Sequence, residues 1–524
     1  MELRSVDEAG LSACVAETLG RAAPGCVRAA RGWWLALVCG CAAWSCSGDT
    51  EPARQTPLNP FPGGSAGVSG AGAAVPDGSA GAPPSGAVGA GENGNASGAS
   101  LVATGTGGSS PGAEPAAGDA TGVVSNDAGI AEVCNIIPNA GSVTDGDANI
   151  DVSVELQRIA GFGGMDGGFY AELTPDQIDT AFGNGPGQLG LSIIRIRIPE
   201  AQNGFGTSLA AASRAFQLGA TVIATPWSPP ANLKSNNSTT GGSLNVASYG
   251  AYADHLLSFR DFLQANGVPL YAISVQNEPD IQVTYESCDW TSNQLIDWIS
   301  GQGSKFGDTR LMAPESFNFS RQFTDPILND PAASAQVDIV AGHVYGGGLA
   351  DYPLARQQGK EVWMTEHFTE SANSANAWPL ALDVGTEIHN IMSANFSAYV
   401  WWAIRRGYGL LTEDGVVSKR GYLLAQYSKF IRPEYVRVRS TQPSNASVGV
   451  TAYKGANRVV VVALNRSDQP QTINLDVFNS CATSFSRFTT SVSKNVANDG
   501  TVALDNSRAT VTLDGQSVTT FVSQ

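Results

Sequence analysis

The stretch LYAISVQNE (270–278) is an apolar run with a polar end, which is typical of a buried strand leading to the mouth of a barrel. Helical patterns separate runs of this kind, as in ASYGAYADHLLSFRDFLQANG (247–267), which ends on a glycine suited to a helix C-terminus. Eight such units predict an α/β protein with a (β/α)8 TIM barrel over residues 159–431. The other seven predicted strands are IAGFGGM (159–165), SIIRIRI (192–198), ATVIATPW (220–227), TRLMAPES (309–316), VDIVAGHVY (337–345), EVWMTE (361–366) and SAYVWWAI (397–404).

The helical pattern disappears after the barrel. ASVGVTAYKGANRVVVVALN (446–465) has the pattern strand, turn, strand, and so does ATVTLDGQSVTTFVSQ (509–524). Residues 432–524 are therefore predicted to form an associated C-terminal β-sandwich side domain.

Two different segments precede the barrel. ANIDVSVELQ (148–157) alternates apolar and polar residues, so residues 133–158 are expected to contribute a strand to the side domain. The chain would then enter and leave the barrel through the β domain. Residues 47–132 are mostly Gly, Ala, Ser and Pro and cannot bury enough apolar area to offset their ordering entropy, which predicts a flexible linker.

Residues 1–46 predict an export signal. GWWLALVCGCAAWSC (32–46) is a short apolar run behind two arginines and ends in small residues. If the signal is of the lipoprotein type, Cys46 carries a lipid that anchors the protein to the membrane. Trp44 stands where that pattern prefers a small residue, so an ordinary cleaved signal is the alternative. Both alternatives predict a protein that is secreted or anchored to the bacterial cell surface.

Charge and composition exclude several classes of function. The net charge of -17 argues against nucleic-acid binding, which needs a basic surface. The four histidines lack the close spacing of a zinc-binding helix, so no metal and no cofactor are expected. Beyond the signal, Cys134, Cys288 and Cys481 allow one disulfide, and the sequence leaves the pairing open. We expect a monomer.

Two motifs place carboxylates at the predicted barrel mouth. QNEPD (276–280) ends the fourth strand and carries Glu278 beside Asn277, and MTEH (364–367) ends the seventh strand with Glu366. The C-terminal ends of barrel strands form the face that carries catalysis. Strands four and seven lie across the barrel from each other, so the two carboxyl groups are expected to face one another.

Such a pair supports hydrolysis of a glycosidic bond with retention of configuration when the carboxyl groups lie about 5–5.5 Å apart. Glu366 is predicted to be the nucleophile and Glu278 the general acid and base. Glu315, at the end of the fifth strand, and Glu413, beyond the eighth, are the main alternative carboxylates.

Several long motifs resemble glycoside hydrolase family 30, and most closely its bacterial glucuronoxylanase subfamily (subfamily 8). The resemblance covers about residues 142–524 and implies a TIM barrel with a side β domain, in agreement with the patterns above. The motifs are RIAGFGGMDGG (158–168), TPWSPP (225–230), YAISVQNEPD (271–280), VWMTEH (362–367), AYVWWAIRRGYGLLTEDGVVSKRGYLLAQYSKFIRP (398–433) and SVTTFV (517–522).

The resemblance implies roles for aromatic residues, in addition to the role that Asn277 has by its position beside Glu278. Trp227 and Trp402 match aromatics that line the cleavage subsite, and Tyr285 matches another sugar-contacting position. The side chain of Asn277 is suited to bind a sugar 2-hydroxyl. Other tryptophans, such as Trp363, are expected to pack in the core.

The resemblance also implies a site for an acidic side group. Arg406 matches the residue that binds the 4-O-methylglucuronate of xylan, and Ser371 and Tyr408 match residues that assist it. An arginine can pair with that carboxylate through two hydrogen bonds. Arg405 could be the ligand instead, or both arginines could form salt bridges at the barrel rim. Phe368 departs from the pattern, because members that bind glucuronate usually carry Tyr there.

Three further residues are expected to support the nucleophile. His343 and Tyr345 are expected to orient Glu366 rather than to react, and Tyr345 is also placed in the substrate-binding site. Arg195 is expected to keep Glu366 ionised through a charge-assisted hydrogen bond, the alternative being an ion pair in the core.

The predicted function is that of a retaining endo-β-1,4-xylanase acting on glucuronoxylan, with xylan as the partner. One alternative is a β-1,6-glucanase or β-1,6-galactanase on the same scaffold, which would offer Arg406 no carboxylate to bind. The other is a non-catalytic carbohydrate-binding surface protein, against which the presence of Glu278, Glu366 and Asn277 argues.

Overall fold

Strand β1 (Ala148–Arg158) precedes eight parallel strands that close into a barrel. The computed structural model describes residues 147–167, 169–369, 373–455 and 457–524. In order around the barrel, the strands are β2 (Gly161–Met165), β3 (Ile193–Ile198), β4 (Thr221–Pro226), β5 (Ala272–Ser274), β6 (Arg310–Ser316), β7 (Ile339–His343), β8 (Glu361–Glu366) and β9 (Ala398–Trp401).

Helices surround the barrel, and the sequence explains several of their ends. Thr174 and Thr291 each form a reciprocal capping box with a glutamine three residues later. The helices are α1 (Pro175–Phe182), α2 (Leu209–Gln217), α3 (Tyr249–Ala265), α4 (Ser292–Gln302), α5 (Arg321–Asn329), α6 (Pro331–Ser334), α7 (Pro353–Gln357), α8 (Leu380–Ser393) and α9 (Lys419–Ser428).

The inside of the barrel is filled at one level by apolar side chains, including Ile193, Ile339 and Trp363. Trp363 is fully buried and stacks on Tyr271, with ring centroids 6.0 Å apart, so its predicted place in the core is confirmed. This plug occupies the N-terminal part of the barrel and leaves the C-terminal ends of the strands to polar side chains.

The remaining strands form a second, mostly antiparallel sheet with its own apolar core. Its nine strands lie in the order β15-β14-β17-β12-β11-β10-β1-β13-β16. The predicted fold class, a TIM barrel with a C-terminal β side domain, is confirmed. The strands that follow the barrel are β10 (Val436–Ser440), β11 (Val448–Lys454), β12 (Val459–Asn465), β13 (Gln471–Phe478), β14 (Ser484–Thr490), β15 (Ala497–Ala503), β16 (Arg508–Leu513) and β17 (Ser517–Ser523).

Strand β1 lies inside this second sheet, although in the sequence the whole barrel stands between β1 and the other eight strands. It pairs antiparallel with β10 and parallel with β13. Helix α9 joins the two domains, since the hydroxyl of Thr520 on β17 donates to the carbonyl of Gln426, 2.7 Å away. The side domain is thus tied to the barrel by its first strand as well as by its last.

Cys481 is disulfide-bonded, whereas Cys288 is buried and free, which excludes a bridge between these two. Cys46, Cys134 and the predicted signal and linker lie outside the described residues. Among the described helices, none has both the length and the apolar character needed to cross a bilayer.

Candidate active site

The C-terminal ends of the barrel strands bring both predicted catalytic carboxylates to one place. Glu366 is the last residue of β8, as the sequence predicts. Strand β5 ends earlier than predicted, at Ser274, and the next four residues continue in an irregular conformation. They are still held between the neighbouring strands, because the N–H of Asn277 donates to Pro226 O (2.8 Å) and that of Glu278 to Glu315 O (3.1 Å).

Glu278 and Glu366 face each other at the barrel mouth. One carboxylate oxygen of each, together with a nitrogen of His343, lies within 4.8 Å of the others. Both glutamates are buried, and Glu278 has a φ of 44°, in the left-handed region that side-chain-bearing residues rarely adopt. Backbone outliers of this kind cluster at active sites, where the surrounding structure holds them in place.

The two carboxylates have different hydrogen-bond partners. Glu366 accepts from Arg195 Nη1 (2.5 Å) on one oxygen and from the Tyr345 hydroxyl (3.1 Å) on the other. Glu278 lies 2.9 Å from the Tyr285 hydroxyl, which donates to it, and 2.9 Å from His343 Nδ1. The only cation with a direct hydrogen bond to Glu366 among the described residues is Arg195, and the one bonded to Glu278 is His343.

Beneath this pair lies Glu315, which the sequence marks only as an alternative carboxylate. Its side chain is fully buried. It accepts from Arg195 Nη2 (3.3 Å) and lies 2.9 Å from His343 Nε2. Glu315 therefore lies below Glu278 and Glu366, where a sugar cannot reach it.

Burial and charge act in opposite directions on these groups. Burial lowers the pKa of His343, but the charge of Glu366 and the hydrogen bonds to Glu278 and Glu315 outweigh burial and raise it to about 10. Burial raises the pKa of Glu315, and the charge of Arg195 with the hydrogen bond from His343 reverses that effect and lowers it. At neutral pH His343 is thus a cation and Glu315 an anion.

The pKa of Glu366 is subject to the same competition between burial and charge. Burial raises the pKa of Glu366, while the charges of His343 and Arg195 oppose the rise. Each of the two carboxylates accepts a hydrogen bond from a tyrosine hydroxyl, and they differ in the cation beside them, which is Arg195 for Glu366 and His343 for Glu278.

Glu278, His343 and Glu366 also belong to residue types that bind metals. Their donor atoms are already engaged by protein groups, since Arg195 and Tyr345 donate to Glu366. A doubly protonated imidazole has no lone pair for a metal. The arrangement fits acid–base chemistry better than metal binding.

Aromatic side chains form the walls above the carboxylates. The rings of Trp227 and Trp402 have centroids 5.6 Å apart, and both side chains are largely buried. Tyr285 is half exposed beside Glu278. Phe169 packs edge-on against Trp227 at 4.8 Å and is a wall residue that the sequence analysis missed. Aromatic faces of this kind offer a polysaccharide apolar contact area.

Arg406 and Arg405 point to different surroundings. Arg405 donates to Gln177 Oε1 (3.0 Å) and to the carbonyl of Ala171 (2.7 Å), so its guanidinium is occupied by the scaffold. Arg406 lies with its guanidinium carbon 3.9 Å from the ring centroid of Tyr170, and its side chain is 33% exposed. Of the two arginines, Arg406 is the one available to a ligand.

A small cluster surrounds Arg406. Tyr408 stacks on Phe368 with centroids 4.8 Å apart. Burial raises the pKa of Tyr408 to about 12, Tyr170 adds to that rise, and Arg406 opposes it. Arg406 Nη1 lies 3.3 Å from Glu413 Oε1, while Arg406 Nε is buried without a hydrogen-bond partner among the described residues. Ser371, the other expected neighbour, lies outside the described residues.

Comparison with known proteins decides the family. The glycosyl hydrolase family 30 TIM-barrel domain matches residues 205–390. The chain is 44% identical over 388 residues to glucuronoxylanase XynC of Bacillus subtilis (strain 168). This alignment covers 72% of this chain and 91% of that protein. The chain belongs to glycosyl hydrolase family 30. It is therefore a glycoside hydrolase, and the predicted resemblance is confirmed.

Two further proteins are similar to this chain. The structure of the subfamily 8 xylanase Xyn30A from Clostridium acetobutylicum matches with a TM-score of 0.68 and 38% identity, covering 72% of this chain and all of that one. An endo-1,6-β-D-glucanase of Neurospora crassa is 26% identical over 325 residues, covering 53% of this chain and 65% of that protein.

The expected hydrogen-bond partner of His343 in this site is wrong. His343 was expected to orient Glu366, but its hydrogen bonds go to Glu278 and Glu315, and Glu366 Oε1 is 4.0 Å away. Strand position alone could not reveal this, because a histidine between two glutamates on neighbouring strands can turn to either. Tyr170 was missed as well, and its position in the glycine-rich loop after β2 offered no periodic signal.

Proposed function

We propose that this family 30 enzyme is a retaining endo-β-1,4-xylanase that cleaves glucuronoxylan and binds the 4-O-methylglucuronate side group at Arg406. The relatives named above as a glucuronoxylanase and a subfamily 8 xylanase support the substrate class. The observation that carries the side-group assignment is the partly exposed guanidinium of Arg406, stacked on Tyr170 and bordered by Tyr408.

In the first step, a Glu366 oxygen attacks the anomeric carbon and the bond to the departing sugar oxygen breaks. Glu278 gives its proton to that oxygen, so the leaving chain departs as an alcohol. Arg195 and Tyr345 hold Glu366 in place for the attack, and the product is a glycosyl ester on Glu366.

In the second step, a water takes the place of the departed chain. Glu278, now a carboxylate, removes a proton from the water as its oxygen attacks the anomeric carbon, and the ester bond to Glu366 breaks. Two inversions give net retention. The short separation of the two carboxylates supports this route over inversion, which needs about 6.5–9.5 Å to admit the water.

Specificity would come from the charge of Arg406. The glucuronate carboxylate is the anionic feature of this polymer, and a charge-assisted pair with arginine is strong and directional. A neutral β-1,6-linked glucan, the alternative substrate, would leave the buried Arg406 Nε without an acceptor.

The test compares Arg406→Ala with Arg405→Ala, its matched control. Losing a hydrogen bond to a charged group costs about 1.5–3 kcal/mol, so kcat/KM of Arg406→Ala on glucuronoxylan should fall roughly tenfold to a hundredfold. Unsubstituted xylooligosaccharides should be almost unaffected, and the products should lose their fixed glucuronosyl position. Arg405→Ala should lower thermal stability without this selectivity.

Equal losses of Arg406→Ala on both substrates would contradict a side-group site at Arg406. No loss on either would favour a neutral polymer, and digestion of β-1,6-glucan by the parent enzyme would then identify it.

We further propose that the enzyme acts outside the cytoplasm. The disulfide at Cys481 supports this, because such bonds persist in oxidising compartments. Fatty-acid labelling of the expressed protein that is lost in Cys46→Ser would identify a lipid anchor, whereas an unlabelled protein in the medium would identify release.

A further inference from the structure

Glu315 is a fully buried charge to which the double-displacement steps give no role. It is the last but one residue of β6 and has a φ of 60°. Its two oxygens accept hydrogen bonds from three hydroxyls and two cationic side chains, those of Ser274, Thr225, Thr365, Arg195 and His343. A carboxylate that is fully buried can stay charged only with hydrogen bonds of this kind.

Each of the two cations connects Glu315 to a different catalytic carboxylate. Arg195 reaches Glu315 with Nη2 (3.3 Å) and Glu366 with Nη1 (2.5 Å). His343 lies 2.9 Å from Glu315 through Nε2 and 2.9 Å from Glu278 through Nδ1. Glu315 therefore holds both cationic side chains, Arg195 and His343, on the side away from Glu366 and Glu278.

We propose that Glu315 is a positioning residue that, through Arg195 and His343, gives Glu278 and Glu366 their different protonation states. This proposal rests on the two-step function above. It concerns how the acid and the nucleophile are kept distinct, and it is independent of the sugar side group.

A count of charges shows why a carboxylate is needed at this position. Arg195 and His343 contribute two positive charges, and ionised Glu315 and Glu366 contribute two negative charges. The buried set is then neutral while Glu278 holds its proton. Without the charge of Glu315, one positive charge is in excess, and burial makes that excess expensive.

Two changes can remove the excess, and each has its own signature. Glu278 can lose its proton more readily, which moves the basic limb of the kcat/KM profile to lower pH. Alternatively, His343 can lose its proton, which turns a doubly protonated ring into a neutral one. Removing the charge while keeping the size of the side chain separates this effect from packing.

The experiment uses Glu315→Gln in the full chain, with Thr365→Val as the matched control. The hydroxyl of Thr365 donates to Glu315 Oε2 (2.6 Å), the oxygen that Arg195 and His343 also contact, but Thr365 carries no charge. In Glu315→Gln, either the basic limb should move down by about one pH unit or the His343 ring should titrate between pH 5 and 9. Thr365→Val should change the rate without either shift.

The ring is observed by 15N NMR after histidine labelling, since the chain has four histidines and His343→Asn assigns the signal. A loss of rate in Glu315→Gln with an unchanged pH profile and an unchanged ring would overturn the proposal, leaving Glu315 a structural role. If Glu315→Gln fails to fold, the parent enzyme decides, because a neutral His343 ring at pH 7 would also overturn it.

The outcome is distinct from that of the Arg406 test. The ratio of rates on glucuronoxylan and unsubstituted xylooligosaccharide should be the same in Glu315→Gln as in the parent. If the proposed function is wrong, the parent enzyme will not hydrolyse xylan, or Arg406→Ala will lose the same activity on both substrates. Failure of the Glu315 proposal would leave both of those results intact.

Discussion

Arg195 and Arg406 lie in the same barrel mouth but in opposite physical settings. The side chain of Arg195 is fully buried and bonds to Glu366, Glu315, Asn277 and Thr225. Arg406 is one-third exposed and has an ion pair with Glu413, which is itself 54% exposed. Charges in the first setting are fixed before substrate arrives, whereas the second leaves room for a ligand to replace a weak internal partner.

The largest expected effect is that of Glu366→Gln. The amide cannot form the glycosyl ester, so xylan turnover should fall by at least about a thousandfold while circular dichroism stays unchanged. Glu413→Gln, the same chemical change beside Arg406, is the matched control and should retain turnover. Comparable activity in the two variants would show that Glu366, beside Arg195, is no more important for catalysis than Glu413, beside Arg406.

Glu278→Ala should have the next largest effect, and the loss of rate should depend on the substrate. General acid–base catalysis contributes about a hundredfold to ten-thousandfold, so xylan hydrolysis should fall within that range. An aryl xyloside with a good leaving group needs little protonation and should lose much less in the first step. Azide should accelerate the second step by attacking the anomeric carbon as Glu366 departs, giving a β-xylosyl azide.

Near-normal turnover of xylan by Glu278→Ala would show that the acid lies elsewhere. An α-configured azide product would show that water and azide attack from the opposite face, as in an inverting enzyme.

The smallest expected effect is that of Glu413→Gln on binding. Exposed ion pairs contribute about 0.2–1 kcal/mol, so releasing Arg406 from Glu413 should lower KM for glucuronoxylan by at most about fivefold. kcat should stay the same, and the difference should shrink as salt is added. A raised KM would instead show that Glu413 holds Arg406 in its binding position.

The sequence predicts the parts of this molecule that depend on period and strand order. All eight barrel strands were predicted in place, and β8 matches its predicted bounds because EVWMTE is a continuous buried run. Glu278 was assigned to the fourth barrel strand, and the strand ends at Ser274, since the chain bends there to bring the carboxylate inward. Strand order still placed that side chain at the mouth.

What the sequence could not predict is which side chains bond across strands. Glu315 has the same local pattern as a surface glutamate at the end of a strand, and only closure of the barrel reveals its contacts with Thr365 and Arg195. His343 can turn to either neighbour, and its orientation is set by Glu315 below it. Tyr170 and Phe169 belong to a loop whose path depends on Trp227 and Arg406.

The place of β1 inside the side sheet has a consequence for biosynthesis. About 280 residues lie between Arg158 and Val436, and a ribosome adding roughly 5–20 residues per second takes about 14–55 s to make them. During that interval β1 has emerged without β10 or β13, its partners on both sides. The partners of β1 therefore do not exist until the barrel sequence has been synthesised, and β1 cannot take its place in the sheet before then.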